Sequence, residues 1–345
     1  MVNITEKVIT DISGFDSLKE EWDALVNNCI ESNIFMTFEW AKHWIRHTHM
    51  KKPLIICIYE KGSICAIAPF YLDNKKIIRV LGHPYSDYEG LIGSQSNLFE
   101  IYDRIFKLLS QESWNSLEID QFPSGNAFHS LKYYLMASKK RHILKDALPY
   151  QRIDFKKRGI KYSTLLSSKR DIRRKMRVFE ISNKLSYRIA IDKEEILNAI
   201  SMIVLLHTNK LNSFGKKSQF ENSEFRSSYS KLILSLFKNN DLDMFELLLD
   251  KKPISCIVGL KHKNKYHSFS IHMNIDYIRI SPGILAVLSD IERIEKESYE
   301  VYNFGRGRDE YKARFSNSAD ITNRVSVFNN KISYFTGKTA SVFSK

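Results

Sequence analysis

The chain has four cysteines in 345 residues, Cys29, Cys57, Cys65 and Cys256, and no two of them form a C-x-x-C pair. Scattered thiols fit a reduced, cytoplasmic protein and argue against structural zinc. Long hydrophobic runs are missing too. The longest, residues 54–58 and 64–71, fall far short of the roughly 20 apolar residues that a membrane-spanning helix needs. Met1-Val2-Asn3-Ile4-Thr5-Glu6 has no cationic end leading into an apolar stretch, so no signal peptide is expected. The sequence also lacks the G-x-x-x-x-G-K-[ST] phosphate loop, the G-x-S-x-G elbow and the H-E-x-x-H zinc motif. His43 and His47 stand i, i+4 without an evident third ligand and read as surface histidines, so no metal is expected.

What is present is an ordinary globular composition, 43% hydrophobic and 27% charged, with length enough for two domains. The charge is unbalanced: the formal net is +14. Between residues 156 and 188 twelve Lys and Arg face only Asp171 and Glu180, a net of +10 in a tenth of the chain. Such density suits an anionic partner, whether nucleotide phosphates, nucleic acid, anionic lipid or an acidic glycan. A solvated helix face in a lysine-rich chain accounts for it equally well.

Periodicity divides the chain into two halves of similar plan. In the first, apolar residues three or four apart predict helices over 16–28, 37–47 and 98–111. Alternating stretches predict strands over 54–59, 63–71, 76–81, 88–92, 116–119 and 151–154, with Glu60-Lys61-Gly62 as a hairpin turn. In the second, Ser168-Lys169-Arg170-Asp171 is a capping-box pattern that opens a helix striped by Ile172, Met176 and Phe179. Helices are predicted over 193–212, 225–238 and 282–298, and strands over 185–191, 244–249, 254–261, 266–273, 300–304 and 323–329. The expected class is α+β, with domains 1–155 and 156–345.

The segment 265–315 carries the most chemistry. It reads strand, Ser281-Pro282-Gly283, amphipathic helix, strand, then Gly305-Arg306-Gly307-Arg308-Asp309-Glu310-Tyr311-Lys312. Serine suits an N-cap and proline the first helical position. A helix start offers orphan N–H groups and a favourable dipole to an anion, and Gly283 lets a pyrophosphate approach the backbone. A plain capped helix answers to the same residues. Gly305 and Gly307 allow a sharp turn, and two arginines offer bidentate donors to phosphate or carboxylate. Asp309 and Glu310 beside them also fit a structural ion pair.

The order Thr37-Phe38-Glu39-Trp40 with Trp44, Ser86-Asp87-Tyr88, Asp171-Ile172-Arg173-Arg174-Lys175, Leu206-His207, Ser281-Pro282-Gly283 and Gly305-Arg306-Gly307 with Tyr311-Lys312 resembles the GNAT-superfamily acyltransferases of the BioF2-like or CelD-like group. These are relatives of the FemAB peptidoglycan aminoacyl transferases. The resemblance spans nearly the whole chain and is most specific in its last segment. It implies two tandem GNAT-like domains, each a mostly antiparallel sheet flanked by helices, with acyl-CoA held by the second. It also implies acyl transfer to an amine or hydroxyl, often on a sugar, glycan precursor or envelope component. Two departures stand out. Arg279 lies four residues before Gly283 rather than three, with Leu285 where a second small residue is usual, and Asn303 replaces an Asp common in the group.

On this reading Arg279, Ser281, Pro282, Gly283, Ile284, Leu285, Arg306 and Lys312 are the candidate cofactor-binding residues. His272, His207, Tyr311 and Asp309 are the candidate catalytic ones. His272 ends a strand near Ser281, and Tyr311 is placed to protonate a leaving thiolate. His207 stands beside an apolar stripe, where a buried, hydrogen-bonded histidine is the commoner outcome. His267, five residues before His272, falls on the opposite strand face unless a bulge intervenes. Trp40, Asp87, Tyr88 and Glu89 are candidate acceptor-binding residues, on a loop that the resemblance turns toward a cleft between the halves. Asx-turn chemistry at Asp87 explains that loop as readily. The expected function is acyl-CoA-dependent N- or O-acyl transfer, with acetyl-CoA as co-substrate and an amino sugar or glycan precursor as acceptor. Three alternatives stay open. They are a FemAB-like transferase using aminoacyl-tRNA, a non-catalytic double-GNAT binding protein, and peripheral membrane contact through the 156–188 patch.

Overall fold

The computed structural model of the protein describes residues 4–47, 52–93, 96–157, 161–162, 164, 166, 169–170, 174, 177 and 185–343. The chain divides into two compact units, Met1–Pro149 with Asp320–Lys345, and Tyr150–Ala319. Elements follow in the order β1 (Ile4–Ile9), α1 (Ile12–Asp16), α2 (Lys19–Asn28), α3 (Phe38–His47), β2 (Lys52–Glu60), β3 (Ser63–Leu72), β4 (Ile77–Val80), β5 (Ile92–Gly93), α4 (Leu98–Leu109), β6 (Ser116–Pro123), α5 (Asn126–Ala137) and β7 (Arg141–Asp154). Then come β8 (Leu185–Ile189), α6 (Lys193–Ser213), α7 (Ser223–Lys238), β9 (Leu242–Leu249), β10 (Lys252–His262), β11 (Lys265–Met273), α8 (Pro282–Lys296), β12 (Val301–Arg306), α9 (Glu310–Phe315), β13 (Ser318–Phe328) and α10 (Lys331–Phe343).

The shared plan of the two halves is visible strand by strand. In the first unit the strands run β1-β2-β3-β4-β6-β13, and in the second β8-β9-β10-β11-β12-β7. Each series is antiparallel except for one pair joined through a helix: β4 with β6 across α4, and β11 with β12 across α8. The sheets are therefore mixed and mostly antiparallel, as the α+β expectation has it. The sixth strand of each unit comes from a distant part of the chain. β13 pairs antiparallel with β6, which is why residues 320–345 group with the first unit although the sequence boundary at 155/156 assigns them to the second.

Local chemistry explains most element ends. Lys61 and Gly62 both take positive φ, 52° and 83°, in the tight turn between β2 and β3. Asp250 and Lys251 do the same between β9 and β10. Asp192 caps α6 by accepting from Glu195 N at 2.9 Å, while Glu195 Oε2 accepts from Ile191 N at 2.8 Å. The helix expected over 16–28 is α2, Lys19–Asn28, with Asp16 ending the separate helix α1. Ser17 caps α1, and Asp11 Oδ1 accepts from Gly14 N at 2.8 Å to start it seven residues before α2. Of the expected strand at 88–92 only Ile92 is extended, as part of β5; residues 82–90 form a loop. Absent from the sequence reading are β1, α5, α9 and α10; α5 nonetheless buries a stripe of Phe128, Leu131, Tyr134 and Leu135. Of the basic helix, Arg170, Arg174 and Arg177 are helical and exposed. Ser168, Asp171, Ile172, Arg173, Lys175, Met176 and Phe179 lie outside the described residues, so the capping box and its stripe do as well.

An apolar core of the second unit positions α8. Ile257, Tyr266 and Tyr302 from the sheet meet Leu285, Leu288, Ile291 and Ile294 from the helix. Each such side chain contributes about 1.5–3 kcal/mol on burial. The far end of α8 is pinned by a buried ionic cluster. Arg293 bonds Asp290 (2.8 Å), Asp243 on β9 (3.0 Å) and Glu297 (2.9 Å), and Tyr302 Oη donates to Asp290 Oδ2 at 2.9 Å. Burial raises the Asp290 carboxyl, and the Arg293 guanidinium opposes it. Gly259 makes room for this cluster, because a Cβ there would lie 1.9 Å from Tyr266 Oη.

Candidate functional site

The parallel pair β11–β12 is matched only over Lys265–Val301, Tyr266–Tyr302 and His267–Asn303. β11 then runs six residues further, to Met273, with no ladder partner on the β12 side. The chain leaves the end of β11, makes a 3-10 turn over Ile275–Ile280 and enters α8 at Pro282. The start of α8 is thus set at the end of β11 where the two strands have stopped pairing. In parallel α/β arrangements this is where ligands bind, beside helix N-termini at the carboxyl ends of strands.

Ser281 occupies the N-cap, but not in the way its residue type suggests. It is left-handed (φ 56°, ψ 58°) and its side chain makes no capping bond. Pro282 has no N–H, and the N–H groups of Ile284 and Leu285 donate to Ser281 O at 3.0 and 3.1 Å. That leaves the Gly283 N–H as the first-turn donor that Ser281 does not engage. Gly283 also has a packing reason to lack a side chain, since a Cβ would lie 3.3 Å from Met273 Sδ and 3.8 Å from Ile271 Cγ2. No acidic residue stands in this first turn, and Arg279 precedes it, exposed on the 3-10 turn.

The Gly305–Lys312 segment folds as the two glycines require, with φ 70° at Gly305 and 130° at Gly307. Asn303 Oδ1 accepts from Gly305 N at 2.9 Å. The Lys312 side chain is buried, donates from Nζ to Arg306 O at 2.6 Å and pairs with Asp309 at 3.3 Å. Lys312 therefore braces the turn. Tyr311 lies against Phe304 and Phe315, and burial with the Asp309 charge pushes its hydroxyl well above the usual range. At neutral pH it keeps its proton.

β11 carries a bulge. Val258 pairs with Ser270 and Gly259 with Ser268, so Phe269 is the extra residue. The bulge resets the alternation. His272 stands opposite Cys256 and His267 opposite Leu260, four residues apart on β10, so the two histidines share a face rather than opposing one another. Met273 and Ile271 meet Gly283 on the other face. His272 hence points away from the start of α8, and proximity in sequence to Ser281 does not bring it to that helix end.

His272 meets His207 instead. Their rings lie 5.7 Å apart, edge on. His272 Nε2 is 3.0 Å from Ser270 Oγ, and His207 Nδ1 is 2.8 Å from Ser218 Oγ. Burial pulls His272 down to about 3, with His207 and Lys210 adding to the effect. Burial and Lys210 lower His207 as well, though it is only half-buried. Ser218 and Ser270 are not among the residues singled out from the sequence; for Ser218 a signal exists in the Ser218-x-x-Glu221 capping box, which fixes it within hydrogen-bond reach of His207.

In the first unit the four candidate acceptor residues are all buried. Trp40 Nε1 donates to Ser86 Oγ at 2.8 Å, and Tyr88 packs on Phe35. Gly82 (φ 94°) sits under this contact, where a Cβ would be 2.1 Å from Ser86 Oγ. Glu89 accepts from Asp120 N at 2.7 Å and contacts His83 Nδ1 at 3.0 Å. Asp87 is buried in the same loop. His43, read as a surface residue, is buried edge-on to Trp44 because it falls on the inward side of α3; the His47 side chain lies outside the described residues. Among the described residues no group of three His, Cys, Asp or Glu could hold a metal ion, and no helix is long and apolar enough to cross a membrane.

Residues 167–313 match the acetyltransferase (GNAT) domain family. This segment is similar to a GNAT domain. It lies inside the second unit and contains β11, α8 and β12. FemX matches in structure at TM-score 0.68 and 11% identity, over 96% of this chain and 99% of that one. L-PGS from Bacillus licheniformis matches at 0.57 and 8%, over 94% and 95%. A tandem GNAT protein from the clavulanic acid biosynthesis pathway matches at 0.55 and 9%, over 94% and 98%. At such identities these likenesses establish the fold, a tandem GNAT-like one, along the whole chain. No curated protein matches the sequence.

Proposed function

We propose that the protein is an acyl-CoA-dependent acyltransferase whose donor site lies in the GNAT domain of the second unit. One observation carries the reading. The end of β11, where its ladder with β12 has stopped, adjoins a helix start that offers the Gly283 N–H, lacks first-turn acids and follows Arg279. An extended thioester arm with its own amide groups suits the strand edge, because backbone donors and acceptors there need partners. The diphosphate of CoA suits the helix start.

The chemistry needs a polarised thioester carbonyl, an acceptor that loses a proton, and a thiolate that regains one. Tyr311, held protonated, is the proposed acid for the thiolate. Lys312 and Asp309 shape the turn that presents it, and Arg306, half-buried on β12, is proposed to touch the donor. The acyl group is assigned as acetyl and the acceptor as an amine of an amino sugar or glycan precursor, with domain roles of donor site in 156–345 and acceptor side in 1–155. Calorimetric titration with acetyl-CoA and longer acyl-CoAs tests the reading: one site per chain with Kd of about 1–100 μM is expected, and absence of binding to any of them sinks it.

A second donor has its own support. Arg170, Arg174 and Arg177 are helical and exposed at i, i+4 and i+7, a basic face of the kind that meets nucleic acid. If aminoacyl-tRNA is the donor, transfer will depend on charged tRNA and fall steeply with salt. Salt-insensitive release of CoA from acetyl-CoA excludes that donor.

A further inference from the structure

Outside the donor site, the second unit holds a buried group of uncharged acid–base side chains on the opposite face of its sheet. His272 on β11 contacts His207 on α6; each ring is tied to a serine hydroxyl, Ser270 and Ser218 respectively. Around them stand Lys210 from α6, Phe220 from the 3-10 turn Gln219–Glu221, Tyr229 from α7 with its buried hydroxyl beside Ser270, and Cys256 from β10. Beyond Cys256 in the same row, Glu246 on β9 is committed to Arg188. Lys210 disfavours a proton on both rings, and His207 also disfavours one on His272.

His272 belongs to the stretch of β11 that has lost its β12 partner, so the pair borders the same strand end as the proposed thioester arm, from the other face. A ring pair held neutral by burial is a proton acceptor in waiting. The two rings are not equivalent: His272 is enclosed, while His207 is half-buried and tied through Nδ1, which leaves its Nε2 for an incoming group.

We infer that His207 is the general base of the transfer and His272 its positioning residue. The inference rests on the acyl-CoA reading above. The step balances simply. His207 Nε2 takes a proton from the acceptor ammonium or water as an N–H or O–H bond breaks. The freed lone pair forms a bond to the thioester carbon, the C–S bond breaks, and the leaving thiolate takes a proton from Tyr311 or from the imidazolium. His272 keeps the ring of His207 in place and stays neutral throughout, because its affinity for a proton is too low to hold one near pH 7.

The experiment measures CoA thiol release from acetyl-CoA, with water and with glucosamine as acceptors, alongside calorimetric acetyl-CoA binding. His207→Gln is expected to lose about 100-fold or more in kcat while binding acetyl-CoA within threefold of wild type. Lys210→Met, which touches neither ring's hydrogen bond, removes a charge that lowers His207; the acid limb of the kcat profile then moves to higher pH. His272→Asn lowers kcat with KM for acetyl-CoA unchanged. Wild-type turnover in His207→Gln, or a limb that stays in place in Lys210→Met, overturns the assignment and leaves the acyl-CoA reading standing. Binding without any release by the wild-type protein to either acceptor also overturns it. Absence of binding brings down the donor site itself.

Discussion

The two units place the same parallel strand pair, crossed by the same kind of helix, in two different states. In the second unit β11 outruns its pairing with β12 and leaves an edge at the start of α8. In the first, β4 stops at Val80 and the loop 82–90 lies along the corresponding stretch of β6. Glu89 N donates to Gln121 O at 2.9 Å, Glu89 Oε2 accepts from Asp120 N, and Gly90 lies so close to Phe122 that a Cβ would come within 2.8 Å. The helix starts differ in the same sense. Both N-caps, Asn97 and Ser281, are left-handed at φ 56° without a side-chain cap. The next three residues are Leu98-Phe99-Glu100 in α4 and Pro282-Gly283-Ile284 in α8. A carboxylate and a bulky ring occupy the one; a glycine and no acid occupy the other. One plan thus yields a filled gap with an acid in its helix start, and an edge with a helix start free of acids, the one proposed to take the donor. The difference lies in a few side chains and in the length of one strand, which is why a donor site is proposed for the second unit alone.

The comparison is broken most directly by Gly283→Glu, which gives α8 the acid that α4 has. Acetyl-CoA affinity is expected to fall at least about 100-fold, or ~2.7 kcal/mol, by calorimetry, while Gly283→Ala stays within threefold because the Met273 thioether can shift. In the first unit Gly82→Ala meets both a positive φ and the Trp40–Ser86 contact. It should cost about 3 kcal/mol in urea unfolding without weakening CoA binding by the folded protein. Arg279→Glu, exposed beside α8, is expected to weaken CoA about tenfold at low salt, and less at high salt. His272 gives a pH signature that no first-unit residue is expected to share. Its folded pKa of about 3 lies below the ordinary 6.5, so the unfolded chain takes up a proton first. Stability present above pH 6.5 is lost as pH falls toward 3, by up to ~2 kcal/mol between pH 6.5 and 5. His272→Asn should flatten that slope in chemical denaturation, and an unchanged slope would show the ring is not buried as described.

Legibility differed between the units for physical reasons. The doubled plan, the hairpins and α8 announce themselves through periodicity and turn residues. The Gly305 and Gly307 turn does so through chemistry that only glycine satisfies. What could not be read are relations across strands. The extra residue Phe269 reverses the relative facing of His267 and His272, and the mixed polar and apolar residues of this strand do not mark where the bulge falls. Trp40 and Glu89 look like recognition residues because aromatic and acidic side chains share a loop. Their partners, Ser86 and the backbone of Asp120, turn them inward. Lys312 likewise reads as a phosphate ligand until Arg306 O is seen to hold its ammonium.

Amide hydrogen exchange with and without acetyl-CoA tests the central contrast in one measurement. Protection on binding is expected at residues 268–273 and 283–285 of the second unit, with none at 98–101 of the first. Protection at the start of α4, or none at the start of α8 under saturating acetyl-CoA, would contradict the assignment of the donor site to the edge of β11 and the Gly283 end of α8.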